Sequence, residues 1–328
     1  MESLYFVLEV VLKNVIVVAL LMLFAAYLTL FERKVLARIQ IRYGPNRAGP
    51  FGILQPLADG IKSFFKEDII PERADKPLYI IAPMIVITAA IAMVAVIPFG
   101  DRIWLFGREI KLVIADVDIG LLYLFAVASL GEYGIVLGGW SSGNKYGVLG
   151  ALRAAAQMIS YEVSLGLAII GVLILSGSLR LTEIVAAQKD MWFVVYQPFA
   201  FILYMICAFA ELNRAPFDMP EAESELACGF NIEYSSMKFA LFFFAEYTHM
   251  IAVAALATTL FLGGWHGPLL PGPVWFLIKV FLIIFVFVWV RATYPRVRYD
   301  HVMKLGWKVL IPLTILNIVV TSFVVAVR

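Results

Sequence analysis

Between Ala210 and Tyr247 the chain reads AELNRAPFDMPEAESELACGFNIEYSSMKFALFFFAEY. This stretch carries Glu211, Asp218, Glu221, Glu223, Glu225, Glu233 and Glu246 against only Arg214 and Lys238. Long apolar runs flank it, and Pro216 and Pro220 stop any helix that leaves the membrane at Leu212. An acidic segment wedged between membrane spans is costly unless it folds around a hydrated, protein-lined cavity. Further glutamates interrupt the apolar runs themselves: Glu132 in SLGEYGIV and Glu162 in ISYEVSLG join Glu211 and Glu246. A carboxyl at such depth responds to burial by holding its proton, which suits it to take and release protons during turnover. The plainer reading of any one of them is a glutamate hydrogen-bonded to a neighbouring helix. Four of them opening on one acidic loop point to a proton path. Arg214, three residues after Glu211, is expected to pair with these carboxylates and tune them, since a guanidinium does not itself titrate.

Other chemistries find no foothold. His249, His266 and His301 are scattered, and Cys207 and Cys228 are far apart, so no metal or iron–sulfur site is expected on this chain. Cys207 falls within a span and reads as a small core residue. No glycine-rich phosphate loop is present. A net charge of +2, without a basic block interleaved with aromatics, gives no sign of a nucleic-acid partner.

The elements that must position these groups are membrane helices. The chain is 62% hydrophobic, with a mean hydropathy of +0.90, far above the mix of a soluble domain. Apolar runs of spanning length fall near 6–31, 78–99, 117–139, 154–176, 194–212, 239–262, 273–291 and 308–327. The first run is no secretory signal, because Glu2 and Glu9 replace the positive flank and no small-residue cleavage site follows. Lys and Arg concentrate in the 32–77 and 292–307 loops, with Arg33 and Arg291 at inner helix ends. The positive-inside rule therefore puts both termini outside and the acidic loop inside. On these assignments Glu162 and Glu246 sit about 10–12 Å in from the inner ends of their helices, with Glu132 at a similar depth.

The 32–77 connection is too long for a plain loop. After the turn YGPNRAGP, Ile53, Leu57, Ile61, Phe64 and Phe65 recur at helical spacing, which predicts an amphipathic helix ended by Pro71. Such a helix lies at the membrane interface, packs on a partner, or does both. The expected fold is all-α: a polytopic integral membrane protein of eight transmembrane helices plus an amphipathic interfacial helix. It forms a single membrane domain over 1–328, with 32–77 as a long inner loop and 210–238 as an acidic inner loop.

The strings FERKVLARIQIRYGPNRAGPFGILQPLADGIK (31–62), the 210–247 stretch and RATYPRVRYD (291–300) closely resemble the H-subunit family of proton-pumping NADH:quinone oxidoreductase, respiratory complex I. The resemblance runs over nearly the whole chain. It implies a membrane subunit at the junction with a peripheral arm, with a tunnel for quinone as substrate (ubiquinone or menaquinone). By position, Glu32, Arg33, Arg42, Asp59 and Arg291 resemble the polar tunnel residues, and Phe239, Phe243 and Tyr247 its apolar lining. The i, i+4, i+8 spacing of those aromatics puts them on one helix face. Glu132, Glu162, Glu211, Arg214, Glu221, Glu223, Glu225, Glu233 and Glu246 resemble the family's charged path toward antiporter-like subunits. The resemblance also implies that FMN and the iron–sulfur clusters belong to partner subunits, so that this chain alone holds no complete active site. A bacterial inner (plasma) membrane is the expected location, with periplasmic termini. Two other readings stand beside this one. A stand-alone proton-coupled transporter would need interrupted helices at mid-membrane, and the membrane anchor of a hydrogenase-like donor:quinone complex would share most of these residues.

Overall fold

In the computed structural model, which describes residues 2–105 and 108–327, the elements run as follows. A long first helix, α1 (Glu2–Ile39), leads to α2 (Gln55–Phe65), α3 (Lys76–Val94) and a hairpin of β1 (Arg102–Leu105) with β2 (Arg108–Lys111). Then come α4 (Gly120–Ser141), α5 (Lys145–Ser176), α6 (Leu181–Ala186), α7 (Phe193–Tyr196) and α8 (Pro198–Glu211). The acidic segment contains the single turn α9 (Glu223–Leu226), followed by α10 (Ser236–Phe261) and α11 (Gly272–Thr293). The chain closes with α12 (Tyr299–Lys304), a π-helical stretch over Leu305–Leu310, and α13 (Ile311–Val327).

Among the described residues, seven helices are long and apolar enough to cross a membrane, α12 to α13 counting as one. The expected span at 194–212 is built differently. Pro198 lacks an amide hydrogen and restricts the residue before it, so the chain breaks at Gln197 (φ −130°, ψ 51°) between α7 and α8. The α8 portion has 14 residues, about 21 Å of helix. Polar groups at such a break need partners inside the protein. Gln197 Nε2 donates to Thr321 Oγ1 (2.7 Å) and Asn317 Nδ2 donates to Gln197 Oε1 (3.1 Å), which ties the break to α13.

Two helices outrun their apolar windows. Because α1 continues to Ile39, Glu32 and Arg33 lie on a helix and not in a loop. Because α5 starts at Lys145, Glu162 stands 17 residues along it, about 25 Å from its start, farther along than the apolar run alone indicates. A short β1–β2 hairpin, paired antiparallel with Arg102 opposite Lys111, is added to a fold that is helical as expected. As expected, α2 is helical, but it stops at Lys66, where ψ of 142° leaves the helix five residues before Pro71.

Helix α10 is the centre of the bundle. Every residue from Met250 to Phe261 is buried, as befits a helix that is apolar all round. It packs against α1, α3 and α11. Beside it α3 and α4 run in close contact: a Cβ at Gly134 would lie 2.4 Å from Val86 Cγ2. A smaller aromatic cluster of Tyr79, Phe230, Tyr234 and Phe242 anchors the end of the acidic segment. There Tyr79 and Tyr234 stack with ring centroids 4.2 Å apart, and Tyr79 Oη donates to the Glu233 carbonyl (2.6 Å).

Candidate functional site

The aromatic face read from the sequence forms as expected. Phe239, Phe243 and Tyr247 succeed one another along α10, with ring centroids 6.0 and 5.2 Å apart. They wall a cavity of about 280 Å³ between α1, α2 and α10, into which Arg33 and Asp59 also face. Phe239 is exposed at the mouth and Tyr247 is buried at the far end. Asp59 accepts from Arg33 (2.6 Å) and from Gln55 (2.9 Å), so the polar edge of α2 is fastened to α1. The apolar face of α2 points away from the chain, leaving Leu57, Phe64 and Phe65 exposed.

Behind Tyr247 lies a buried ionic junction. The Arg214 guanidinium sits 4.2 Å from the Tyr247 ring centroid. It donates to both Glu32 and Glu246, while Arg291 donates to the other oxygen of Glu32. Glu32 and Arg214 are only 2% and 4% exposed. Isolated charges at such burial would be untenable; here each is paired. Burial works against the Arg214 charge, but Glu246 and Glu32 outweigh it and hold the guanidinium protonated.

On the other side of Glu246 is a second cavity of about 60 Å³, lined by Glu132, Glu211, Glu221, Glu246, Asn231 and His249 among others. Glu162 of α5 accepts a hydrogen bond from Ser129 of α4, the helix that carries Glu132. Glu221 accepts from Asn231 Nδ2 (2.8 Å). Burial, reinforced by repulsion from Glu246 and Asp218, pushes the Glu221 carboxyl up to about 8. Burial likewise raises the Asp218 carboxyl.

The expected set is therefore divided. Glu132, Glu211, Glu221 and Glu246 meet at one cavity; Arg33, Asp59, Phe239, Phe243 and Tyr247 meet at the other; Glu32, Arg214 and Arg291 stand between them. Glu162 lines neither cavity. Three acidic-loop residues lie apart: Glu223 is exposed, Glu225 pairs with Arg153, whose hydrogen bond lowers its pKa, and Glu233 accepts from Asn144 (2.7 Å). Arg42 lines a third, basic cavity of about 480 Å³ with Lys34, Arg38 and Tyr43. Sequence reasoning passed over His249 and Asn231; the three-residue spacing from Glu246 to His249 was the available signal. Cys207 is buried and Cys228 exposed, both as free thiols.

Residues 12–322 match the family model described as NADH dehydrogenase. The chain is 56% identical to an H subunit of NADH-quinone oxidoreductase from Syntrophobacter fumaroxidans, over 94% of each chain. It is 55% identical to an H subunit of the same enzyme from Geobacter metallireducens, covering 96% of this chain and 95% of that one. Identity to the H subunit from Thermomicrobium roseum is 53%, over 91% of each. With its seven long apolar helices and a match spanning almost its entire length, this chain belongs to the NADH dehydrogenase family, alongside the H subunits of NADH-quinone oxidoreductase.

Proposed function

We propose that this chain binds quinone in the aromatic-walled cavity and couples quinone reduction to proton translocation through the glutamate-lined one. The carrying observation is the junction between them: Arg214 touches Tyr247 at the end of the first cavity and pairs with Glu246 at the edge of the second. Two-electron reduction of quinone takes up two protons, so charge near Tyr247 changes during turnover. Glu32, Arg214 and Glu246 are close enough for such a change to shift the balance of the pairs, and carboxylates that interact strongly titrate as a group. In this reading the isoprenoid tail lies along Phe239 and Phe243, while Arg33, Asp59 and Arg291 serve polar parts of the tunnel.

The wider assignment follows the same reading. The chain acts as one membrane domain, with α7 and α8 together completing an eighth crossing and α2 lying at the membrane interface. It sits in a bacterial inner membrane with both termini periplasmic. Electrons arrive from FMN and iron–sulfur clusters on partner subunits of the peripheral arm, and antiporter-like subunits take up the coupled charge. Glu211→Gln tests the proposal in the assembled complex. Quinone-linked turnover and pumping should fall roughly 10²-fold or more if the group handles protons, while NADH oxidation by an artificial acceptor continues. Wild-type quinone reduction and pumping in that variant would end the proposal.

A further inference from the structure

His249 lies on α10 one turn beyond Glu246, on the face that brings Phe242, Ala245 and Glu246 to the smaller cavity. Its Nε2 is 3.6 Å from Glu211 Oε1. That nitrogen and Glu211 Oε2 are buried, and neither has a hydrogen-bond partner among the described residues. Glu132 Oε2, contributed by α4, is in the same condition. Buried polar atoms are almost always partnered, because leaving one unpaired is costly. Three such atoms from three helices around one cavity mark a place where hydrogen-bonding groups exchange partners. The cavity, at about 60 Å³, exceeds the roughly 10–15 Å³ needed to seat a bridging water.

The charges facing His249 are all of one sign. Glu132 comes from α4, Glu211 from the end of α8, Glu221 from the acidic segment and Glu246 from α10 itself. No lysine or arginine is among the described residues lining this cavity. Arg214 is engaged on the far side by Glu246 and Glu32. A carboxylate accepts and a carboxylic acid donates, but an imidazole has one nitrogen of each kind and can do both at once. We infer that His249 is a proton-carrying residue, receiving a proton from Glu211 and delivering it to Glu132. The inference rests on the coupling role proposed above. In the first step the Glu211 O–H bond breaks, an Nε2–H bond forms and the negative charge stays on Glu211. In the second the imidazolium gives a proton to the Glu132 carboxylate, which becomes neutral.

The test uses the purified complex carrying His249→Gln or His249→Asn, reconstituted in vesicles, with assembly scored by the co-purifying subunits. Both amides keep polarity and much of the volume but cannot carry a proton. Quinone-linked pumping should fall about tenfold or more in each. Infrared difference spectra on quinone reduction, recorded with ¹⁵N-histidine label, should lose one imidazole band relative to the parent complex. Full pumping with an unchanged histidine spectrum overturns the proposal. So does loss of assembly in both variants, which would mark the imidazole as a packing residue. Glu211→Gln, run in parallel, separates the two readings: if it abolishes pumping while the His249 variants pump normally, only the histidine assignment falls. If all three pump normally, the coupling role falls with it.

Discussion

Glu221 shows how one side chain can carry a pH dependence. Its carboxyl titrates near 8 in the fold against 4.5 when unperturbed, burial being the first cause and Glu246 and Asp218 the next. Between these values the unfolded chain has lost the proton and the folded one still holds it, so stability must fall as pH rises from about 4.5 to 8. The full change is on the order of a few kcal/mol. Glu221→Gln should flatten that part of the profile, which thermal unfolding of the detergent-purified complex across this pH range will read. An unchanged slope would mean that the proton is bound elsewhere. Arg214 makes the complementary case. Removing one partner of a buried pair typically costs about 3–5 kcal/mol, and here Glu246 would lose its partner while Glu32 kept only Arg291. Arg214→Met should therefore lower thermal stability sharply. Arg214→Lys should recover only part of it, because an ammonium lacks the fork that reaches Glu32 and Glu246 together. That Arg214 would pair with carboxylates was legible, but three-residue spacing pointed to Glu211, whereas its partners are Glu246 on α10 and Glu32 on α1. Its bond to Glu32 spans 182 positions, and no local pattern encodes such a meeting.

At the scale of elements, what could be read was what a bilayer imposes. Apolar runs located the helices because every spanning segment must be both apolar and internally hydrogen-bonded. They misplaced ends wherever a helix continues into polar surroundings, as α1 does to Ile39 and α5 does from Lys145. Hydropathy detects the membrane, and hydrogen bonding sets the helix. The break before Pro198 was hidden in the same way, since its partners Asn317 and Thr321 come from the far end of the chain. The aromatic face of α10 was legible because helical spacing alone places Phe239, Phe243 and Tyr247 in line. Phe243→Trp enlarges the middle of that line and should impair turnover with long-tailed quinones more than with short-tailed analogues. Equal losses with both would argue against a tail-binding wall. At the α3–α4 contact, Gly134→Val would drive Cβ to 2.4 Å from Val86 Cγ2. Overpacking of this kind costs about 1–3 kcal/mol, and should appear as a lower unfolding midpoint without a change in quinone preference.

The whole molecule carries apolar surface that its own packing leaves uncovered. Beyond the C-terminal end of α1, Ile41 and Phe51 are 96% and 80% exposed, around the basic cavity of Lys34, Arg38 and Arg42. Both adopt left-handed backbone conformations, with φ of 55° and 54°, which for a β-branched residue such as Ile41 is a strained choice. Strain of this kind persists where surroundings hold it in place, yet few of this chain's atoms cover these side chains. Large apolar side chains grouped around a charged pocket fit a face completed by other subunits. The coupling proposal requires those subunits to deliver electrons. Purified in mild detergent, the chain should bring with it flavin- and NADH-binding subunits together with antiporter-like membrane chains, identifiable by mass spectrometry. Replacing Phe51 with Asp should weaken that association through an unpaired charge at the contact, leaving the membrane helices folded. Recovery of nickel-hydrogenase subunits would instead assign the same membrane architecture to a different electron donor. A chain that purifies alone, stable and monodisperse, would leave its exposed apolar face unexplained and the buried glutamates without a source of redox energy.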